Sequence, residues 1–148
     1  MIYLGADHRG YALKEKLKPW LEQLGYQYED CGALRYDETD DNPIFAEKVA
    51  HKVLERSDNR GILICGSGIE IAIAANKLAG IRAGTVADPK QASAAVHDEN
   101  LNIVALPADF ISTEQAEQIV KVFLGEKFSG EERFERRIEE IKEIEGNN

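Results

Sequence analysis

Apolar residues along this chain fall into two alternating kinds of block. Residues 2–6, Ile62-Leu63-Ile64-Cys65, 81–86 and 102–106 are short and almost wholly apolar. A run without a polar face suits a strand buried on both sides, as in a parallel sheet. A weaker strand is expected over 26–31. The longer blocks repeat at helical spacing: Leu13, Leu17, Leu21 and Leu24; Phe45, Val49 and Val53; Ala116, Ile119, Val120, Phe123 and Leu124; Phe134, Ile138, Ile141 and Ile144. Further helices are predicted just after Gly68 and over 89–96. Gly25 is a good helix stop and Pro43 a good helix start. Pro19 falls inside the helix expected over 11–24 and predicts a kink. Alternating strand and helix means a parallel sheet covered on both faces, with right-handed crossovers. We expect an α/β chain with one domain over 1–148.

The middle strand carries the chemistry. Ile62 to Cys65 is followed by Gly66-Ser67-Gly68 and then Ile69-Glu70-Ile71-Ala72, rich in helix formers. Strand, glycine turn and helix together aim unpaired backbone N–H groups at an anion. Ligands of open α/β sheets bind outside the carboxyl ends of the strands. Cys65 and Ser67 are at that address, and the positive end of the helix favours a thiolate. Cys65 equally fits a small buried hydrophobe, and Ser67 a helix cap. Two motifs are excluded. A dinucleotide fingerprint needs glycine where Ile71 stands. A cysteine phosphatase loop needs a phosphate-holding arginine, which 69–75 lacks.

A formal charge of −9 argues against nucleic acid or an anionic membrane as partner. An anionic substrate therefore needs a local basic pocket. Two cysteines, Cys31 and Cys65, make no disulfide framework. The N-terminus enters a strand directly, without a charged leader, and no apolar run reaches membrane-spanning length. These features predict a reducing cytoplasm.

Asp7 and His8, Cys65 and Ser67, and His97 with Asp98 are expected at strand ends that meet along one edge of the sheet. Each has a plainer reading: Asp7 as a helix cap, the histidines as surface residues, the acids of 37–41 as a solvated loop. Arg133, Arg136 and Arg137 alternate with glutamates, as in a salt-bridged helix. Two arginines on one helical face can also clamp a phosphate.

Taken together, these residues resemble the sugar-phosphate isomerase family of B-type ribose-5-phosphate isomerases and galactose-6-phosphate isomerase subunits. The likeness rests on Asp7-His8, Asp41 with Pro43, Cys65-Gly66-Ser67-Gly68, Ile73-Ala74-Ala75-Asn76-Lys77, Gly80-Ile81-Arg82-Ala83, and Arg133 with Arg137. It implies a Rossmann-like three-layer sandwich on a five-stranded parallel sheet, and a homodimer whose active sites draw on both subunits. It implies aldose–ketose isomerisation of a phosphorylated sugar through a cis-enediolate, with neither metal nor cofactor. By the resemblance, Cys65 is the base. Ser67 and the N–H groups of Gly66, Gly68, Ile69 and Glu70 stabilise the enediolate. Asp7 and the family histidine, at His97 or Asp98, open the sugar ring. His8, Arg133 and Arg137 hold the phosphate.

Four positions depart from the family. Glu70 replaces a glycine, Asp109 an arginine, and Asn42 a tyrosine. His97 lies one residue further from Asn102 than the family histidine does. Another branch of the family uses a glutamate base, at the position of Ile71 here. Ribose 5-phosphate is the default substrate. A different sugar phosphate, such as a hexose 6-phosphate, and a non-catalytic sugar-phosphate binder are the competing readings.

Overall fold

Five strands and six helices alternate through the computed structural model, which describes residues 1–148. In order they are β1 (Ile2–Ala6), α1 (His8–Gln23), β2 (Tyr28–Asp30), α2 (Asn42–Leu54), β3 (Arg60–Cys65) and α3 (Ile69–Ala75). There follow β4 (Ala83–Thr85), α4 (Pro89–Glu99), β5 (Ile103–Pro107), α5 (Thr113–Gly125) and α6 (Glu132–Gly146). All strand pairs are parallel, in the order β2-β1-β3-β5-β4. This is the expected α/β sandwich, with β3 at its centre. Gly61 pairs with Ile103 and Cys65 with Pro107, so the strands keep one register from base to tip.

Successive strand residues face opposite layers. Leu4, Ile62, Ile64, Val104 and Leu106 pack under α1, α4 and α5 with Leu17, Leu21, Val96, Ile119 and Phe123. Leu63, Cys65, Ile103 and Ala105 face α2 and α3, against Val49, Val53, Ile71 and Ala75. Each fully buried Leu or Ile contributes roughly 1.5–3 kcal/mol, so the two layers carry most of the stability. No helix is long and apolar enough to cross a membrane.

The elements depart from the expected boundaries for local reasons. α1 starts at His8, three residues early, because Asp7 caps it: Asp7 Oδ1 accepts from the N–H groups of Arg9 (3.0 Å) and Gly10 (3.1 Å). The same helix runs past Pro19, whose ring faces solvent. β4 begins late because Ile81 N–H bonds Leu78 O, and Arg82 N–H bonds Asn102 Oδ1 at 2.8 Å. Those two residues belong to a turn. β2 is a three-residue edge strand pinned to α1 by a fully buried Lys14, whose Nζ lies 2.6 Å from Asp30 Oδ2.

Candidate active site

The tip of β3 is fixed by backbone geometry. Gly10, in the first turn of α1, lies directly on Ile64: a Cβ there would sit 2.3 Å from the Ile64 carbonyl oxygen. That contact brings Asp7, His8 and Arg9 beside the loop after Cys65. Cys65 is 3% exposed, and its Sγ accepts the N–H of Gly68 at 3.2 Å. It is both a core residue and an acceptor within the glycine turn. Gly68 has φ of +70°, and a Cβ on it would fall 2.8 Å from Thr85 Cγ2. Thr85, at the tip of β4, holds the turn by donating its hydroxyl to Gly68 O at 2.5 Å. Ser67 Oγ accepts the Ile69 N–H at 3.2 Å within the turn, while the N-cap of α3 is Gly68 rather than Ser67. The N–H groups of Gly66, Ser67 and Glu70 have no protein acceptor.

His8 is held by Asp40, from the loop between β2 and α2. Asp40 Oδ1 accepts the His8 backbone N–H and meets its Nδ1, both at 2.8 Å. This hydrogen bond raises the His8 pKa above its ordinary value, helped by the charges of Asp7 and Asp40. The acidic loop is thus only partly solvated surface. The Asp40 side chain is 8% exposed and its Oδ2 has no partner, while Asp41 stands at the α2 N-cap without a side-chain bond.

The unusual residues at this end pair with one another. Asn42 Nδ2 donates to Glu70 Oε1 at 3.3 Å, tying the Glu70 carboxylate to the start of α2. Asp109 is ion-paired with Arg9, and its backbone N–H bonds Gly66 O at 3.0 Å. The pair covers Gly66, where a Cβ would meet Arg9 Nε at 2.6 Å and Asp109 Oδ2 at 2.7 Å. The Asp109 charge is therefore compensated by Arg9. Ile71 is wholly buried.

His97 and Asp98 are not at a strand tip. They occupy the last turn of α4, which runs antiparallel to the strands and delivers the chain to the base of β5. Base and tip are separated by the rise from Gly61 to Cys65, about 13 Å at the usual strand spacing. One chain thus does not bring His97 or Asp98 to Cys65, contrary to the expected meeting at one edge. The strand-tip rule covers residues after a strand, and these precede one.

At the base, His97 joins a different group. Its ring packs edge-on to Phe134 at 6.1 Å, and the guanidinium carbons of Arg133 and Arg137 lie 4.5 and 5.7 Å from the Phe134 centroid. His97 Nδ1 is 2.7 Å from Asp98 Oδ1, a hydrogen bond that raises the His97 pKa. Arg133 Nε donates to Glu131 at 3.1 Å and Arg136 pairs with Glu140 at 4.0 Å, so part of the salt-bridged helix is real. Arg137 has no ion pair. No group of three or more His, Cys, Asp or Glu side chains converges as a metal site.

Sequence reasoning passed over Arg9, Asp40 and Thr85. Thr85 carried a usable signal, a hydroxyl at the carboxyl end of a strand. Arg9 and Asp40 carried none, since their partners lie 100 and 32 residues away.

The family model described as Ribose/Galactose Isomerase matches residues 2–141. Ribose-5-phosphate isomerase B of Escherichia coli K12 is 37% identical over 144 residues, 97% of this chain and 95% of that protein. Its Mycobacterium tuberculosis counterpart is 36% identical, covering 97% and 89% of the two chains. A crystal structure of ribose-5-phosphate isomerase B from Mycoplasma genitalium with bound ribulose 5-phosphate superposes with a TM-score of 0.94 at 36% identity, over 99% and 97% of the chains. The Thermotoga maritima enzyme does so at 0.92 and 40% identity, over 96% and 97%. With a cysteine held at the tip of the middle strand, a capped aspartate beside it and relatives of this kind along almost its whole length, the chain belongs to the ribose/galactose isomerase family.

Proposed function

We propose that this protein is an aldose–ketose isomerase of phosphorylated sugars, interconverting ribose 5-phosphate and ribulose 5-phosphate, with Cys65 as base. The observation that carries the reading is the Cys65 sulfur, at the tip of β3 and hydrogen-bonded by Gly68 N–H, beside three N–H groups without acceptors. The thiolate takes the proton from C2 of the open aldose while the carbonyl oxygen on C1 becomes an enediolate oxygen. The N–H groups of Gly66, Ser67 and Glu70 stabilise that charge, with the Ser67 hydroxyl beside them. A proton passes from the C2 hydroxyl to the C1 oxygen, and Cys65 returns its proton to C1. No electron leaves the sugar and no cofactor is needed.

Asp7 retains Oδ2 for the sugar after capping α1 with Oδ1, and it acts in ring opening. His8, whose protonated form is favoured by its hydrogen bond to Asp40, contributes to phosphate binding. The remaining groups, His97 or Asp98 with Arg133 and Arg137, come from a second copy of the chain. The separation of base and tip within one chain supports this homodimer with shared sites: a pentose phosphate is shorter than that gap.

The Asn42–Glu70 and Arg9–Asp109 pairs on the rim favour a second reading, in which the sugar is another phosphate ester, such as a hexose 6-phosphate. A panel of aldose and ketose phosphates, followed by NMR for interconversion and solvent deuterium uptake, separates the two. Cys65→Ala should lower exchange by about a hundred- to ten-thousandfold, the range of a general base, while binding survives. Glu70→Ala should leave exchange largely intact. The opposite result would transfer the base to Glu70, and exchange with no sugar would leave a binding protein.

A further inference from the structure

A cavity of about 300 Å³ lies at the base of the sheet, on the side away from Cys65. Its wall is formed by the end of α2, the turn into β3, and the segments entering β4 and β5. Arg60 and Arg82 face it, both half-buried. Neither forms an ion pair in a chain with 27 acidic side chains; Arg9, Arg56, Arg133 and Arg136 are the arginines that do.

Their hydrogen bonds are incomplete. Arg60 spends Nη1 on the carbonyls of Ser57 and Asn59, at 2.9 and 2.7 Å, leaving Nε and Nη2 free of protein acceptors. Arg82 gives Nε to Asn100 O at 2.8 Å and Nη1 to Gly80 O at 3.4 Å, leaving Nη2 free. Burial disfavours the charge of each, and Arg60 further disfavours that of Arg82; Asp58 partly offsets this at Arg60 and Glu145 at Arg82. Asn59, 1% exposed in the same wall, bonds Lys52 O through Nδ2, while its Oδ1 has no donor.

The nearby acids are occupied. Asp58 is bound to Arg56, and both oxygens of Glu145 lie 3.1 Å from Gly80 N. Two desolvated like charges sharing one cavity weaken the folded state unless an anion lies between them. Guanidinium groups with free forked donors suit phosphate oxygens.

We propose that Arg60 and Arg82 form an anion site at the base of the sheet that takes a phosphate group, free or as a small monoester. The phosphate oxygens accept from Arg60 Nε and Nη2 and from Arg82 Nη2. The volume leaves room for a small organic group beside the phosphate. The site shares no residue with the Cys65 loop or with the cluster around Phe134, so it can be filled while sugar is being turned over.

Amide NMR titration of the full chain tests this, with inorganic phosphate and separately with glycerol 3-phosphate. The amides of Gly80, Asn100 and Asn102 should shift saturably. Arg60→Gln should weaken that binding about tenfold or more, and Arg60→Lys should restore part of it. Arg133→Met with Arg137→Met should leave those three amides responding as in the wild type, which separates this site from the substrate phosphate. Tighter binding of the ester would assign the site to a phosphorylated metabolite; equal binding would assign it to phosphate itself. No saturable shift at these amides, or an unchanged response in Arg60→Gln, overturns the proposal. Isomerase activity of Arg60→Gln is read separately, so the failure of either reading leaves the other standing.

Discussion

At the tip of the sheet, groups are placed by backbone. Cys65 ends a strand, Gly68 takes a left-handed conformation, Asp7 caps a helix that Gly10 seats on β3, and Thr85 ties the turn from β4. At the base, the groups are side chains on two helix ends, His97 on α4 and Arg133 and Arg137 on α6, gathered around one phenylalanine. The tip is rigid because moving any of its groups means moving sheet or helix. The base is built from long, half-exposed side chains whose positions a partner surface can still adjust. In the proposed mechanism, proton transfer would use the first kind of placement, and neutralising a phosphate would tolerate the second.

The largest expected effect comes from separating the two ends onto different chains. Cys65→Ala, and the double variant Arg133→Met with Arg137→Met, should each be nearly inactive alone. Mixed and reassembled at equal amounts, they should recover about a quarter of wild-type activity, because half the dimers are mixed and each mixed dimer has one intact site. No recovery, with mixing confirmed by native mass spectrometry, would mean that both ends serve a site within one chain.

A smaller effect should separate the ends by stability. Gly68→Ala forces a side chain into the left-handed region and against Thr85, and should cost about 1–3 kcal/mol in urea unfolding. Arg137→Met should stay within about 0.5 kcal/mol. Equal losses would dissolve the distinction between a backbone-built tip and a side-chain-built base.

The smallest effect is in titration. His8 has a raised pKa, so the protonated ring is the form its surroundings stabilise. That contribution is complete below the ordinary histidine range and disappears as pH rises through the raised value. Asp40→Asn should move the His8 ring titration down while His97, supported by Asp98, keeps its own. Ring-proton NMR reads both histidines in one sample. A His8 titration indifferent to Asp40→Asn would mean that the hydrogen bond does not carry the shift.

The tip was largely legible in the sequence and the base was not. Ile62 to Cys65 with Gly66 and Gly68 announces strand, turn and helix, because burial and φ are local requirements. The hydrophobic pattern places the α1 start three residues late, because the cap that Asp7 supplies precedes the first apolar repeat. The sequence pattern points His97 to the tip, whereas the structure has it at the base. Its helix continues three residues beyond Val96, and no local signal distinguishes a polar cluster after a strand from one before it. Pairings such as Arg9 with Asp109 or Asn42 with Glu70 depend on chain folding over long separations. Position by position they read as isolated departures from the family, and only the structure shows them as matched pairs.

Both outer strands, β2 and β4, are three residues long. The rims of the sheet therefore offer little unpaired backbone to a foreign strand, and β2 is further restrained by the buried lysine behind it. A concentrated solution of this protein has few places to begin fibrous growth, even though the core strands would be aggregation-prone if uncovered. Its resistance to insoluble deposits should thus depend on how long the folded state lasts, with exposure of Ile62 to Cys65 during unfolding as the vulnerable moment.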